Sequence, residues 1–166
     1  MAVNQVSLFF YAPNWVQTSR QDSKAFTDRG EPVTIVGSAR RDTKSDPLLV
    51  SDLTRFLREL GFELVDGHFE RGEIESIFGP EKEIAVSVGV EGDEVKDLYC
   101  RFTLPKFVPP PVPQWVEFIV PLCERFALRL EEAGEAPCSE SAFVDALTSH
   151  RNWVDFAEAY GWPDYP

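Results

Sequence analysis

"IAVSVGVEGDEVKDLYCRFTL", residues 84–104, decides the fold class. Ile84, Val86, Val88 and Val90 alternate with Ala85, Ser87 and Gly89. Beyond Glu91-Gly92-Asp93-Glu94 the alternation resumes, with Leu98, Cys100, Phe102 and Leu104 set against Tyr99, Arg101 and Thr103. Successive side chains of a strand point to opposite faces, so the two runs read as a hairpin with one apolar face and one mixed face. That pattern suits an antiparallel sheet covered on one side by helices. The expectation is a single α+β domain over residues 1–166, with a mainly antiparallel sheet of about four to six strands and helices packed on one face.

Upstream of the hairpin, Val6, Leu8 and Phe10 alternate with Ser7, Phe9 and Tyr11, which predicts an inner strand from Val3 to Tyr11. Residues 17–31, "QTSRQDSKAFTDRGE", follow neither period and read as a loop, after which Pro32 to Val36 forms a short strand ending at Gly37. From Pro47 the spacing becomes helical: Leu49, Leu53, Phe56, Leu57 and Leu60 share a face, and Gly61 is the stop signal. Asp46 fits the N-cap of that helix and Pro47 its first position. Phe62 and Leu64 lead into an Asp66-Gly67 turn, while Phe69 to Phe78 fits neither period cleanly.

Downstream the chain changes character. "FVPPPVP", residues 107–113, is a stiff connector, because each proline fixes φ and turns its predecessor away from helix. The stripe Trp115, Phe118, Ile119, Leu122, Phe126 and Leu130 predicts helix over 114–133, kinked or divided at Pro121. Ser139 or Ser141 caps a helix carrying Phe143, Ala146 and Leu147. A last helix, His150 to Tyr160, turns Trp153, Phe156, Ala157 and Tyr160 to one face. The organisation is thus sheet-rich over 1–106, connector over 107–113 and helical over 114–162.

Composition narrows the function classes. With 43% apolar residues in 166, a core is affordable and general disorder is excluded. No segment approaches the roughly 20 apolar residues of a membrane span, and residues 2–11 lack the cationic flank of a signal peptide. A cytoplasmic protein without membrane contact is expected. Cys100, Cys123 and Cys138 are odd in number and widely spaced, which argues against a disulfide framework or a zinc site; Cys100 and Cys123 read as core. Net charge is −12, unevenly spread: residues 1–44 hold six Lys/Arg against four Asp/Glu, net +2, leaving ten against 24 and net −14 for residues 45–166. Such a surface repels phosphate backbones, so nucleic acid is not an expected partner.

"VTIVGSARRDTKSDPLL", residues 33–49, resembles the apolar strand, Gly-Ser turn and Ser-Asp pair of nucleotidyltransferases. Metal-dependent transfer needs a second carboxylate two residues beyond Asp46, and Leu48 stands there. The stretch therefore reads as a strand-to-helix loop. Phosphate-cradling glycine loops, GxSxG and HExxH are absent. His68, with Asp66, Glu70 and Glu73 nearby, matches no metal template, and His150 heads a helix where it caps or packs. No cofactor, metal or catalytic residue is assigned.

What remains is an acidic α+β chain with four tryptophans and four tyrosines. Size, acidity and the lack of a recognisable active site resemble the immunity proteins that bacteria pair with polymorphic toxins. The resemblance is one of general character over the whole chain, and no family residue is carried over. It implies a protein-binding module that neutralises a cognate toxin stoichiometrically, with a protein partner such as a basic toxin domain. The alternatives are an enzyme with a dispersed site near residues 37–46 and a structural subunit of a larger complex. For a partner surface the reading selects the exposed side of the last helix, Asp155 and Glu158, beside the aromatic end Trp162 and Tyr165.

Overall fold

The structure, a computed structural model, describes residues 4–41, 44–130 and 136–163. Along the chain run β1 (Gln5–Tyr11), β2 (Trp15–Phe26), β3 (Pro32–Arg40), α1 (Val50–Glu59), β4 (Glu63–Val65), β5 (His68–Arg71), β6 (Ile74–Ser76), β7 (Gly79–Glu81), β8 (Ile84–Glu91), β9 (Glu94–Thr103), α2 (Val112–Phe126), β10 (Arg129–Leu130), α3 (Glu140–Ser149) and α4 (Arg151–Tyr160). The fold is α+β. A six-stranded antiparallel sheet has the order β10-β1-β9-β8-β5-β4, while β2-β3 and β6-β7 are separate two-stranded ribbons.

The 84–104 hairpin pairs as its alternation requires, Val86 opposite Cys100 and Val88 opposite Leu98. Its inward residues Ile84, Val86, Leu98, Cys100 and Phe102 have at most negligible exposure, and β1 adds Val6, Leu8 and Phe10 to the same face. The helices bring Leu53 and Leu57, Trp115 and Ile119, Phe143 and Leu147, and Trp153 and Phe156 into one continuous core. Phe102 sits at its centre, 5.1 Å from the Trp115 ring and 5.4 Å from that of Phe143. Each such side chain contributes about 1.5–3 kcal/mol of burial, which is why the helical stripes all point to this face. Cys100, Cys123 and Cys138 are free and buried there; burial pushes the Cys100 thiol up from its ordinary range. Among the described residues no helix is long and apolar enough to cross a membrane.

The structure corrects several sequence-based expectations. Residues 17–26 are not a loop but most of β2, and β3 runs through Gly37 to Arg40. Asp46 is exposed and does not cap α1, whose N-cap is Leu49 with no side-chain hydrogen bond. The reason is tertiary: the Val95 amide bonds the Leu48 carbonyl at 2.8 Å, and the Val50 amide bonds the Asp93 carbonyl at 2.8 Å. Leu48 and Leu49 are therefore held extended along the tip of the β8–β9 hairpin, and the helix starts only at Val50. α2 begins at Val112, so the proline connector is shorter than expected, and it runs through Pro121 as one helix. It stops at Ala127, which adopts the left-handed conformation with φ 51°. Leu130 is consequently a strand residue paired with Phe10, not part of a helix to 133; residues 131–133 lie outside the described set. The unassigned segment Phe69–Phe78 holds β5 and β6.

Candidate functional site

The β2–β3 ribbon is the feature that the core does not explain. Its strands pair from Trp15 opposite Arg40 to Asp22 opposite Val33. After an irregularity Phe26 faces Pro32. The turn closes through Thr27 and Glu31, whose backbones bond at 2.8 Å, with Gly30 supplying the positive φ of 79° that the reversal needs.

The root of the ribbon is fixed to the body. Trp15 is buried, and its indole N–H donates to Glu94 Oε1 at 3.1 Å. The Arg40 guanidinium donates to both Glu94 oxygens at 3.1 and 3.0 Å and to Glu91 at 3.1 Å, and it lies 4.9 Å from the centre of the Trp15 ring. That hydrogen-bonded cation holds the Glu94 carboxyl below its ordinary range. Ser38 donates to the Asp97 carboxylate, which lies against the Cα of its cross-strand partner Gly89. A Cβ at residue 89 would collide with it, so any larger residue there would push aside the carboxylate that Ser38 engages.

Beyond the root the ribbon stands clear of the core. Most residues from Thr18 to Gly37 are exposed, including Phe26 at 59%, Val36 at 44% and Ile35 at 38%. The two strands differ in chemistry. β2 carries Arg20, Asp22 and Lys24, whereas Val33 to Ala39 on β3 is an unbroken run without a charge. Among the described residues no strand pairs with the outer edge of β3.

No family model matches this chain, and no curated protein or solved structure matches it.

The residues singled out from sequence fall in different places. In the 37–46 stretch Ser38 and Arg40 are engaged at the ribbon root, and residues 42 and 43 lie outside the described set. His68 Nε2 stands 2.8 Å from Glu70 Oε1 on the uncovered face of the sheet. Among the described residues no group of three or more His, Cys, Asp or Glu is placed to hold a metal. His150 is a cap: its Nδ1 accepts from the Asn152 amide at 3.1 Å. On α4, Asp155 and Glu158 are exposed as expected, and Asp155 lies 3.7 Å from Arg151. Trp162 is not an exposed anchor. It packs 5.3 Å from both Trp153 and Phe156 and closes the core end of α4, while Tyr165 lies outside the described residues. Sequence reasoning missed the ribbon, although the uncharged run on β3 is visible in the sequence; nothing in it signals that both strands lie off the sheet.

Proposed function

We propose that this chain is a stoichiometric protein-binding module whose partner adds an extended segment to the outer edge of β3, and that toxin neutralisation is the form this binding takes. One observation carries the reading: a seven-residue, uncharged strand edge, Val33 to Ala39, exposed from Thr34 to Gly37, on a ribbon anchored at its root. Proteins ordinarily blunt such edges with Lys, Pro, bulges or a covering element, because the unpaired amides and carbonyls template pairing with another chain. A two-stranded ribbon is at best marginally stable in water, so a third strand also completes it. Strand addition supplies main-chain hydrogen bonds, with Ile35 and Val36 offering apolar contacts on alternate faces. The enzyme alternative has less behind it, because Ser38 and Arg40, two of the polar groups in its 37–46 stretch, are engaged in anchoring the ribbon.

Site-specific photo-crosslinking in the native cell provides the test, with the reactive residue placed at Thr34 or Val36 and, as a control surface, at Val154 on α4. A discrete adduct from β3 identifies the partner, which is then purified and titrated. One-to-one binding, inhibition of a toxic activity of that partner, and an Ile35→Lys variant that folds normally but binds at least about tenfold more weakly are expected. If binding survives Ile35→Lys and is lost in Asp155→Lys/Glu158→Lys, the interface is α4 and the strand-addition reading is wrong.

A further inference from the structure

The face of the main sheet away from the helices has a site unrelated to the ribbon. Its rows follow from the register: Ser7, Arg101, Ala85 and Glu70 lie side by side across β1, β9, β8 and β5, with Gln5 and Thr103 in the row beside them. Small side chains on β8 leave a trough between Arg101 and the His68–Glu70 pair. The β6–β7 ribbon walls one end, and together they enclose a concave pocket of about 450 Å³. Arg101 and the ribbon anchor Asp97 stand on the same strand, but no residue of β2 or β3 lines the pocket. It is therefore separate from the β3 edge.

Arg101 is the unusual member. Its Nε is buried from solvent and has no hydrogen-bond partner among the described residues. A guanidinium has five donors in a planar fork that matches a carboxylate or phosphate, and a buried donor left unmatched costs about 1–3 kcal/mol. The other polar groups around the pocket have protein contacts, but among the described residues only Lys82 and Glu73 form a pair of opposite fixed charges. Lys82 stands 3.3 Å from Glu73, His68 2.8 Å from Glu70, and Glu81 accepts from Asn4 at 3.3 Å. The charge balance decides between anions. Three glutamates line the pocket against Arg101 and Lys82, which disfavours a phosphate dianion and favours a ligand that offers a positive group to Glu70 or Glu81. Glu70 and Arg101 are two strands apart, about 10 Å between their Cα atoms, a span that suits a molecule of amino-acid size.

We propose that this pocket binds a small zwitterion, its carboxylate held by Arg101 and its ammonium directed to Glu70 and Glu81. The test uses the full chain, labelled with ¹⁵N and titrated with the standard amino acids, acetate and inorganic phosphate. The Arg101 Nε–H resonance and the His68 ring are the reporters. At least one amino acid should shift both saturably and bind about tenfold or more tightly than acetate or phosphate. Arg101→Ala should abolish that shift, read at the His68 ring, without lowering the melting temperature, because the Arg101 Nε has no protein partner to strand. Ala85→Leu, which fills the pocket floor while keeping the arginine, should abolish it too and serves if Arg101→Ala does not fold. No saturable shift with any probe overturns the proposal. So does phosphate or acetate binding as tightly as the best amino acid, or binding that survives Ala85→Leu.

Discussion

His150 ends one helix and starts the next. Its amide bonds the Leu147 carbonyl at 3.3 Å, its carbonyl accepts from Val154 at 3.1 Å, and its Nδ1 accepts the Asn152 amide. Asn152 in turn donates its side-chain amide to the Gln5 carbonyl at 2.9 Å, so the cap also ties α4 to the sheet edge. Only a neutral imidazole can accept at Nδ1, and burial lowers the pKa of His150 below its ordinary value. The sign follows from proton counting. Between the lowered folded pKa and about 6.5 in the unfolded chain, the unfolded state binds more protons, so stability rises with pH and is lost as pH falls through that window. His150→Asn keeps an acceptor in the cap and removes the titration. The difference in unfolding free energy between wild type and His150→Asn should therefore move against the wild type on acidification. Urea melts on either side of the window measure it. A difference that stays constant with pH would mean that the imidazole does not titrate as a cap.

At the scale of elements, helix starts distinguish local from tertiary control. Ser139 accepts from the Ala142 amide at 3.2 Å and caps α3, whereas Asp46 caps nothing because residues 48–50 are pinned to the β8–β9 tip. Ser139→Ala should cost about 1 kcal/mol in chemical denaturation and Asp46→Ala less than about 0.5 kcal/mol. A larger loss for Asp46→Ala would restore it as a cap. The same contrast explains what the sequence discloses. The 84–104 hairpin, α1, α3 and α4 are legible because each buries one face, and burial leaves a period of 2 or 3.6 in the residue types. β2 has no such period, since a ribbon wet on both faces selects no apolar side. Leu130 continues the helical spacing of α2 by coincidence, and the left-handed Ala127 that redirects it carries no sequence mark. Arg101 is legible as a member of the mixed face. Its position across from His68 and Glu70 depends on β5 pairing with β8, which nothing local specifies.

At the scale of the whole molecule, two forces act on copies of the chain in opposite directions. A net charge of −12 keeps molecules apart, most strongly when counterions are few. The outer edge of β3 draws them together, because two uncharged edges can satisfy each other's amides and carbonyls in the absence of a partner. Salt separates these contributions: the Debye length shrinks from about 30 Å at 0.01 M to about 8 Å at physiological ionic strength, which screens the repulsion and leaves strand pairing almost untouched. Sedimentation velocity should therefore find monomers at low salt and a growing population of dimers as salt rises, the reverse of an association held by ion pairs. Ile35→Lys places a charge in the middle of the edge and should keep the chain monomeric at every salt concentration, with far-UV circular dichroism and melting temperature close to wild type. Charge reversal at Asp155 and Glu158 lowers the net charge without touching the edge, so it should bring dimerisation to lower salt. Dimers that dissolve as salt is added, or that persist unchanged in Ile35→Lys, would show that the β3 edge is not the adhesive surface and would remove the observation on which the strand-addition reading depends.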